Sequence, residues 1–222
     1  MEIQNEMKSV EQILLSMQRL RSIQPPFKLP YSYDDVRRMI VHGVGVEVNY
    51  RHHNFVIDEN LSKAIDEAAK FLTDGKKFGL LICGTLGNGK TTLLRGLQTV
   101  INSIELKDRY GEDYSVCFYT AMDICRAAKE NKDRLRKIIE CPALAIDDLG
   151  EEPIEVLVYG NSSNPLIDLL SYRYEKQLLT MITTNLGNAK IRNAYGDRIA
   201  DRFNEMMQVI IFTNPSFRTP QQ

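Results

Sequence analysis

The residues of this sequence that could do chemistry begin at positions 84–91, which read GTLGNGKT. The spacing matches G-x-x-x-x-G-K-[ST], the phosphate-binding P-loop pattern. Glycines let the backbone approach phosphate groups and turn its N–H donors towards them. Lys90 can then reach the β- and γ-phosphates, and the Thr91 hydroxyl can ligate Mg²⁺. The predicted contacts of a bound nucleotide are Gly84, Thr85, Leu86, Gly87, Asn88, Gly89, Lys90 and Thr91, and Thr91 is also a predicted metal ligand.

Two adjacent carboxylates form the second candidate group. Asp147 and Asp148 follow the apolar run ALAI at 143–146, downstream of the P-loop. Because successive residues of a strand point to opposite faces, the two acids should have different roles. We expect Asp147 to hold Mg²⁺ and Asp148 to orient or deprotonate an attacking water. The alternative is a strand end with two solvated acids.

An amide and two arginines could complete such a site. The apolar run 178–184 ends at Asn185, and parallel sheets bind ligands at the carboxyl ends of their strands. Asn185 could therefore sense the γ-phosphate, although asparagine is also a common turn residue. Arg198 and Arg202 are four residues apart and share one helix face. The alternative for each arginine is a surface pair with one of the acids Asp197, Asp201 or Glu205.

Apolar spacing indicates the elements that must hold these residues. Residues 78–83 form an apolar run of strand length before the P-loop, and apolar residues recur at helical steps from Leu93 to Ile104. A P-loop needs this strand, loop and helix, so a chance match in an ordinary turn is the weaker interpretation. Further strands are predicted at 115–120, 143–146, 178–184 and 208–212, and further helices at 60–74, 121–140, 164–177 and from residue 196.

The first fifty residues show helical periodicity but no catalytic pattern. A helix is predicted over 7–23, and a second, short helix is predicted at Asp34–Val41, ended by Gly43. The first helix either packs on the main domain or docks into a groove of a partner protein. Its apolar face consists of Met7, Val10, Ile13, Leu14, Met17 and Leu20.

Composition limits the remaining functions. The 222 residues suffice for one sizeable α/β domain with an appendage, and a net charge of −1 gives no overall attraction to nucleic acid. A local exception is 126–137, with six basic residues against two acidic ones, which is either a solvated helix face or a contact for single-stranded DNA. The four cysteines form no C-x-x-C pair, so we expect reduced thiols in a cytoplasmic protein rather than a zinc site. We see no signal peptide and expect no membrane contact.

In order and spacing, these motifs resemble those of AAA+ ATPases, within the branch of the bacterial helicase loader DnaC and the transposition helper IstB. The resemblance covers roughly residues 50–218. It rests on 84–92, on Leu144–Gly150 with its Asp-Asp-Leu-Gly, on 182–185, on 196–202 and on 214–218, with further similarity at 159–161 and 171–175.

The resemblance implies an α/β three-layer P-loop sandwich with a parallel five-stranded sheet in the order 5-1-4-3-2. It divides the chain into a helical extension, 1–49, and an ATPase domain, 50–222. Only ten residues, 213–222, follow the last predicted strand, so we expect no full C-terminal helical lid. The implied cofactors are ATP and Mg²⁺. Thr92, Arg198 and Arg218 join the nucleotide contacts, and Arg202 becomes a catalytic arginine that acts on a neighbouring subunit.

The implied function is slow ATP hydrolysis coupled to loading of a replicative helicase. A transposition helper that acts with a transposase shares every motif above and remains the nearest alternative. A P-loop kinase for small molecules would need an acceptor pocket and a basic lid, and neither is visible in the sequence. A nucleotide-dependent adaptor without hydrolysis is the third alternative.

Overall fold

The computed structural model describes residues 9–20, 27–107, 111–153, 156–158, 161–213 and 217. The helices in this part of the chain are α1 Val10–Leu20, α2 Tyr33–Tyr50, α3 Glu59–Asp74, α4 Lys90–Ser103, α5 Ala121–Glu130, α6 Lys132–Glu140, α7 Pro165–Lys176, α8 Asn188–Tyr195 and α9 Asp197–Met206. The strands are β1 Gly79–Gly84, β2 Val116–Thr120, β3 Ala143–Leu149, β4 Val156–Val158, β5 Asn161–Ser163, β6 Leu179–Thr184 and β7 Met207–Phe212.

The main sheet has five strands in the order β2-β3-β6-β1-β7, and every neighbouring pair is parallel. When only these strands are numbered along the chain, the order is the predicted 5-1-4-3-2, read from the other edge. Parallel strands end at a common edge, so the residues that follow β1, β3 and β6 come together there. The sequence did not predict β4 and β5, which form a separate antiparallel pair.

Helices cover both faces of this sheet, as the sequence predicted. Leu80 and Ile82 of β1 belong to a buried cluster with α2, α3 and α4, whereas Leu81 belongs to a second cluster with α5, α7 and α9. A parallel strand that is buried on both faces reads as a continuous apolar run, which explains the pattern at 78–83. The α/β three-layer prediction is confirmed.

Helix α2 extends further than the sequence indicated. The prediction ended this helix at Gly43, but it continues through Gly43 and Gly45 to Tyr50. A Cβ at Gly43 would lie 2.8 Å from the carbonyl oxygen of Gly96 in α4, so glycine here permits close packing of two helices. The sequence-based end of this helix was wrong because the glycine serves a tertiary contact.

Packing also places α2 with the five-stranded main domain rather than with an extension. Val36, Ile40 and Val44 are fully or almost fully buried in the cluster that contains Leu80 of β1. Residues 33–49, which the sequence assigned to the extension, therefore contribute to the core of the main domain.

Helix α1 differs from α2 because its apolar side chains are exposed. Val10, Ile13, Leu14, Leu15 and Met17 are between 39% and 71% exposed. In the structure this face does not pack on the main domain. Docking to a partner remains a prediction. Met7 and the side chain of Leu20 lie outside the described residues.

The helical region predicted at 121–140 is interrupted at Asn131. This residue ends α5, and its side-chain Oδ1 accepts a 2.8 Å hydrogen bond from the backbone N–H of Arg134 in α6. Asparagine is among the preferred residues at a helix start, which is the physical reason for the break. Among the described helices, none is both long and apolar enough to span a bilayer.

Candidate functional site

The P-loop joins the carboxyl end of β1 to the amino end of α4. Its glycines are required by geometry. A Cβ at Gly84 would lie 2.3 Å from Asn88 Nδ2, and Gly89 has a φ of 100°, where residues with a side chain are strained. Because α4 begins directly at Lys90, the unpaired N–H groups of a helix start face the same space. The loop therefore has the geometry of an anion cradle.

Lys90 is directed into the loop. It is 5% exposed, and its Nζ donates hydrogen bonds to the carbonyl oxygens of Gly84 at 3.0 Å and Thr85 at 2.6 Å, and to Asn88 Oδ1 at 3.2 Å. Asn88 is fully buried, and its Nδ2 lies 3.4 Å from the carbonyl oxygen of Phe212 at the end of β7. The ammonium group is thus held by two carbonyl oxygens of the loop and by Asn88, which in turn contacts the end of β7.

The two predicted metal ligands are in direct contact. The Thr91 hydroxyl donates a 2.9 Å hydrogen bond to Asp147 Oδ1, which joins the start of α4 to β3. Asp147 is 4% exposed. Hydroxyl and carboxylate oxygens suit Mg²⁺, which takes one or two carboxylates and its remaining ligands from water and phosphates. In the described part of the chain, no group of three or more His, Cys, Asp or Glu is placed to hold a metal ion.

Thr183 is a residue of this site that the sequence analysis missed as an individual contact. Its hydroxyl donates a 2.6 Å hydrogen bond to the same Asp147 oxygen and accepts one of 2.9 Å from the backbone N–H of Asp148. The pairing of Ile146 with Ile182 places the next residues of β3 and β6 side by side. The sequence shows a threonine two residues before Asn185. Only the pairing of β3 with β6 shows that this threonine lies beside Asp147.

Asp148 differs from Asp147 in backbone conformation, in addition to the alternation of side chains along a strand. The register of β3 against β6 shifts between Ile146 and Leu149, and Asp148 has a φ of 56° in the left-handed region. Such conformations cost energy in residues other than glycine and cluster at functional sites. The prediction that the two acids are inequivalent agrees with this geometry, although the bulge was not foreseen.

The turn after Asp148 is held by a buried carboxylate. Glu152 is 6% exposed, and its Oε2 accepts a 2.8 Å hydrogen bond from the N–H of Gly150. Its Oε1 accepts a hydrogen bond from the Tyr195 hydroxyl at the end of α8. Burial, together with this bond, raises the pKa of Tyr195, so the hydroxyl remains a donor. Glu152 therefore ties the segment behind the acid pair to α8.

Asn185 lies beside the same turn. Its Nδ2 donates a 3.2 Å hydrogen bond to Glu151 Oε1, and its Oδ1 is buried without a hydrogen-bond partner in the described part of the chain. A buried unpaired acceptor is costly and marks a position where a donor group fits. Asn185 thus occupies the edge where β1, β3 and β6 end, with one polar atom unsatisfied.

Arg202 lies at the opposite edge of the sheet. Its guanidinium is 4.6 Å from the ring centre of Tyr174, and that ring is 6.3 Å from the ring of Phe78, which precedes β1. These contacts place Arg202 near the amino end of β1, whereas the P-loop follows the carboxyl end of that strand.

Arg202 is also engaged within its own chain. Its Nη2 is 2.7 Å from Glu175 Oε1, and its side chain is 9% exposed. The acid that pairs with Arg202 is Glu175, and not Asp197, Asp201 or Glu205, the partners considered from the sequence. Within the described residues, Arg202 Nη1 has no hydrogen-bond partner. Arg198, one turn earlier, is exposed.

The tail touches the P-loop at one described residue. The backbone N–H of Phe217 donates a 2.9 Å hydrogen bond to the carbonyl oxygen of Gly87. Arg218, the predicted nucleotide contact that follows it in sequence, lies outside the described residues, and so do 159–160 and 214–216 of the resembling segments.

The basic residues of α5 and α6 are exposed. Two of the six form local ion pairs, Arg126 with Asp123 at 3.3 Å and Arg136 with Glu140 at 3.0 Å. Of the other four, Lys132 makes an interaction of its own, whereas Lys129, Arg134 and Lys137 form no ion pair with a carboxylate within the described residues. These three are the residues of the segment that are best placed to meet an external anion.

Several solved structures share this architecture. A crystal structure of the DnaC helicase loader has 22% sequence identity to this chain and a TM-score of 0.55. The match covers 72% of this chain and 94% of the DnaC chain. A crystal structure of DnaI is 24% identical, over 74% and 88% of the two chains, with a TM-score of 0.56. The replication initiator DnaA bound to AMPPCP and single-stranded DNA is 17% identical, over 73% and 49%, with a TM-score of 0.53.

No family model and no curated protein sequence matches the chain. At identities below one quarter, the structural likeness shows the fold alone, which this chain shares with the DnaC, DnaI and DnaA structures. The resemblance drawn from the motifs is confirmed at this level. Within the described residues no helix follows β7.

Proposed function

We propose that this protein binds ATP with Mg²⁺, hydrolyses it, and uses the nucleotide state to act on a replicative helicase. The observation that carries the nucleotide part is the hydrogen bond between Thr91 and Asp147. It joins the residue after the P-loop lysine to the acid at the end of β3, which are the two protein groups that a Mg²⁺–phosphate complex needs close together.

The residues of the site fit the roles assigned to them. Lys90 is held at the loop and would exchange backbone carbonyls for phosphate oxygens when a nucleotide enters. Thr91 and Asp147 would hold Mg²⁺, which when bound neutralises charge on the β- and γ-phosphates. Asp148 would orient or deprotonate the attacking water, and Asn185 would report the γ-phosphate.

Hydrolysis is favoured over transfer to a small molecule. A kinase needs a pocket that holds an acceptor and excludes water, whereas Asp148 and Asn185 lie at the carboxyl ends of β3 and β6, where they could orient a water molecule. Transfer of phosphate to a nucleoside with little free phosphate would support the kinase. A complete lack of turnover in the presence of DNA and partner would support the adaptor.

The helicase role rests on similarity and on the exposed helix α1. Two of the similar structures are the DnaC helicase loader and DnaI, and a third belongs to the replication initiator DnaA. The apolar face of α1 supports docking because it is exposed on this chain while the P-loop domain has its own core. The transposition helper remains the alternative, since it shares the site.

Replacing Ile13, Leu14 and Met17 with serine should weaken capture of the replicative helicase from the same host at least about tenfold. Each buried apolar side chain contributes roughly 1.5–3 kcal/mol at an interface, so losing three exceeds this effect even after ordering costs. The measurement is binding of purified helicase to immobilised full-length protein, with ATP and then with ADP.

The control changes the exposed polar residue Gln12 of the same helix to alanine, which should leave capture unchanged. ATP affinity should be the same in all these variants, because α1 does not contribute to the P-loop. Capture of a transposase but no helicase would show that the protein acts as a transposition helper rather than as a helicase loader. Full helicase binding by the triple variant would exclude α1 as the docking helix.

Single-stranded DNA is proposed to contact α5 and α6. If Lys129, Arg134 and Lys137 meet phosphates, changing all three to alanine should reduce the slope of log K against log salt by about 2. The reason is counterion release, which contributes about 0.7 per neutralised phosphate on single strands. The measurement is binding of a labelled oligonucleotide across a salt series.

Lys63→Ala provides a matched control, because Lys63 is an exposed lysine on α3 paired with Glu59. It should leave the salt slope unchanged. An unchanged slope in the triple variant as well would identify the basic segment as a solvated helix face.

A further inference from the structure

The carboxyl end of α2 brings a basic side chain to the start of the P-loop helix. Arg51 follows α2 directly, and its Nη1 donates a 3.3 Å hydrogen bond to the hydroxyl of Thr92 in the first turn of α4. The two residues are 41 positions apart in the chain. Helix α2 thus contributes a side chain to the edge of the P-loop, which no motif in the sequence indicated.

The packing of α2 on α4 explains this contact. A Cβ at Gly43 would lie 2.8 Å from the carbonyl oxygen of Gly96, and a Cβ at Gly96 would lie 2.8 Å from Val44 Cγ2, so the helices cross at close range there. Beyond this crossing, α2 continues to Arg51, which meets Thr92, one turn before Gly96 in α4. The two helices therefore run in opposite directions, and α2 ends where α4 begins.

The turn after α2 holds the backbone around Arg51. The N–H groups of His52 and His53 donate hydrogen bonds to the carbonyl oxygens of Asn49 at 2.9 Å and Val48 at 3.2 Å. His52 has a φ of 59°, and a residue in this left-handed region is a common way to end a helix. These contacts fix the point from which the Arg51 side chain extends towards α4.

Arg51 is a cation without a carboxylate partner in the described part of the chain. Glu47 lies four residues earlier, the usual spacing for an ion pair on a helix, yet the exposed Arg51 side chain contacts Thr92 instead. A guanidinium has five N–H donors in a rigid fork that suits phosphate oxygens, and the hydrogen bond to Thr92 uses one of them. Other donors of Arg51 can therefore meet an anion at the start of α4, where unpaired backbone N–H groups favour one.

We propose that Arg51 binds the α-phosphate of the nucleotide, an inference that rests on the ATP binding proposed above. In that function, Lys90 and the Mg²⁺ held by Thr91 and Asp147 serve the β- and γ-phosphates. Thr91 and Thr92 project about 100° apart around the axis of α4, so Arg51 approaches the site from a different side than Asp147 does. The α-phosphate is then the phosphate that lacks a cationic side chain, and Arg51 supplies it.

The experiment compares the natural protein with Arg51→Ala by letting adenosine, AMP, ADP and ATP compete with a fluorescent ADP analogue in the presence of Mg²⁺. The dissociation constants of AMP, ADP and ATP should all rise about tenfold, as expected for loss of a hydrogen bond to a charged group, because all three carry the α-phosphate. Adenosine should bind both proteins equally.

Two further variants control this comparison. Arg51→Lys keeps the positive charge and should recover part of the lost affinity. Arg38→Ala removes an exposed arginine from the first half of α2 and should leave all four dissociation constants unchanged.

Thermal unfolding separates phosphate binding from a purely structural role. Without nucleotide, Arg51→Ala should unfold within about 2 °C of the natural protein, the usual range for an exposed side chain. A larger loss would show that Arg51 serves the contact of α2 with α4 and would overturn the proposal.

The competition series has three outcomes that also overturn the proposal. These are unchanged affinities in Arg51→Ala, a loss that appears only with ATP, and an equal loss with adenosine. If the natural protein binds none of the four compounds, the nucleotide site itself fails together with this inference. That result is distinct from a natural protein that binds ADP as well as Arg51→Ala does.

Discussion

Alanine in place of Lys90 is expected to weaken ATP binding by roughly 10- to 100-fold, since a hydrogen bond to a charged group contributes about 1.5–3 kcal/mol. In the structure its ammonium group sits on the loop carbonyls of Gly84 and Thr85, at the surface where phosphates would bind. Isothermal titration with ATP and Mg²⁺ measures the change. Lys63→Ala, on an exposed face of α3, should bind ATP as the natural sequence does.

Asp148→Asn should separate binding from hydrolysis. The metal ligands Thr91 and Asp147 remain, so ATP affinity should stay within about threefold, while turnover should fall by roughly 10²–10⁴, the usual contribution of a general base. Asp147→Asn is the companion variant and should reduce the dependence of ATP binding on Mg²⁺. Unchanged affinity after loss of Lys90, or full turnover after loss of Asp148, would contradict the assignment of the site.

Arg202→Ala is expected to bind ATP nearly normally and to hydrolyse it poorly. An arginine from a neighbouring subunit stabilises charge as it develops on the γ-phosphate, and such residues contribute about 10³–10⁵ in rate. Arg202 lies near the amino end of β1, away from the P-loop that follows the carboxyl end, so we expect any catalytic effect to cross a subunit boundary. Its observed pairing with Glu175 offers the competing explanation that Arg202 only stabilises the contact of α7 with α9.

Mixing two inactive variants distinguishes the explanations. Lys90→Ala lacks a working site but keeps its arginine, whereas Arg202→Ala keeps its site, so together they can build an interface with both. ATPase activity should then reappear in the mixture under conditions where the natural protein assembles. A mixture no more active than its separate components would exclude action between subunits.

Two further variants complete this test. Glu175→Gln breaks the ion pair but keeps the arginine, so a catalytic Arg202 should remain active in it, while a purely stabilising Arg202 should give both variants a similar loss of thermal stability. Arg198→Ala in the same mixing experiment shows whether the exposed arginine one turn earlier is the residue that acts.

The sequence by itself determined the elements that depend on neighbours along the chain. The P-loop reads directly as strand, glycines and helix, and the run 143–146 before Asp147 reads as a strand because a parallel strand buried on both faces must be apolar throughout. The sheet order and the three layers followed from the resemblance carried by these motifs. The proximity of Asp147 to Thr91 was predictable because both residues were expected to hold the same Mg²⁺.

The tertiary structure alone decided which distant residues meet. Thr183 at Asp147 and Glu175 at Arg202 are contacts between elements that the chain places far apart, and no local spacing encodes them. Gly43 shows the same limit, because a glycine that packs two helices together and a glycine that ends a helix look identical in sequence. Local periodicity reports whether a residue is buried, whereas its partner depends on how whole elements pack against one another.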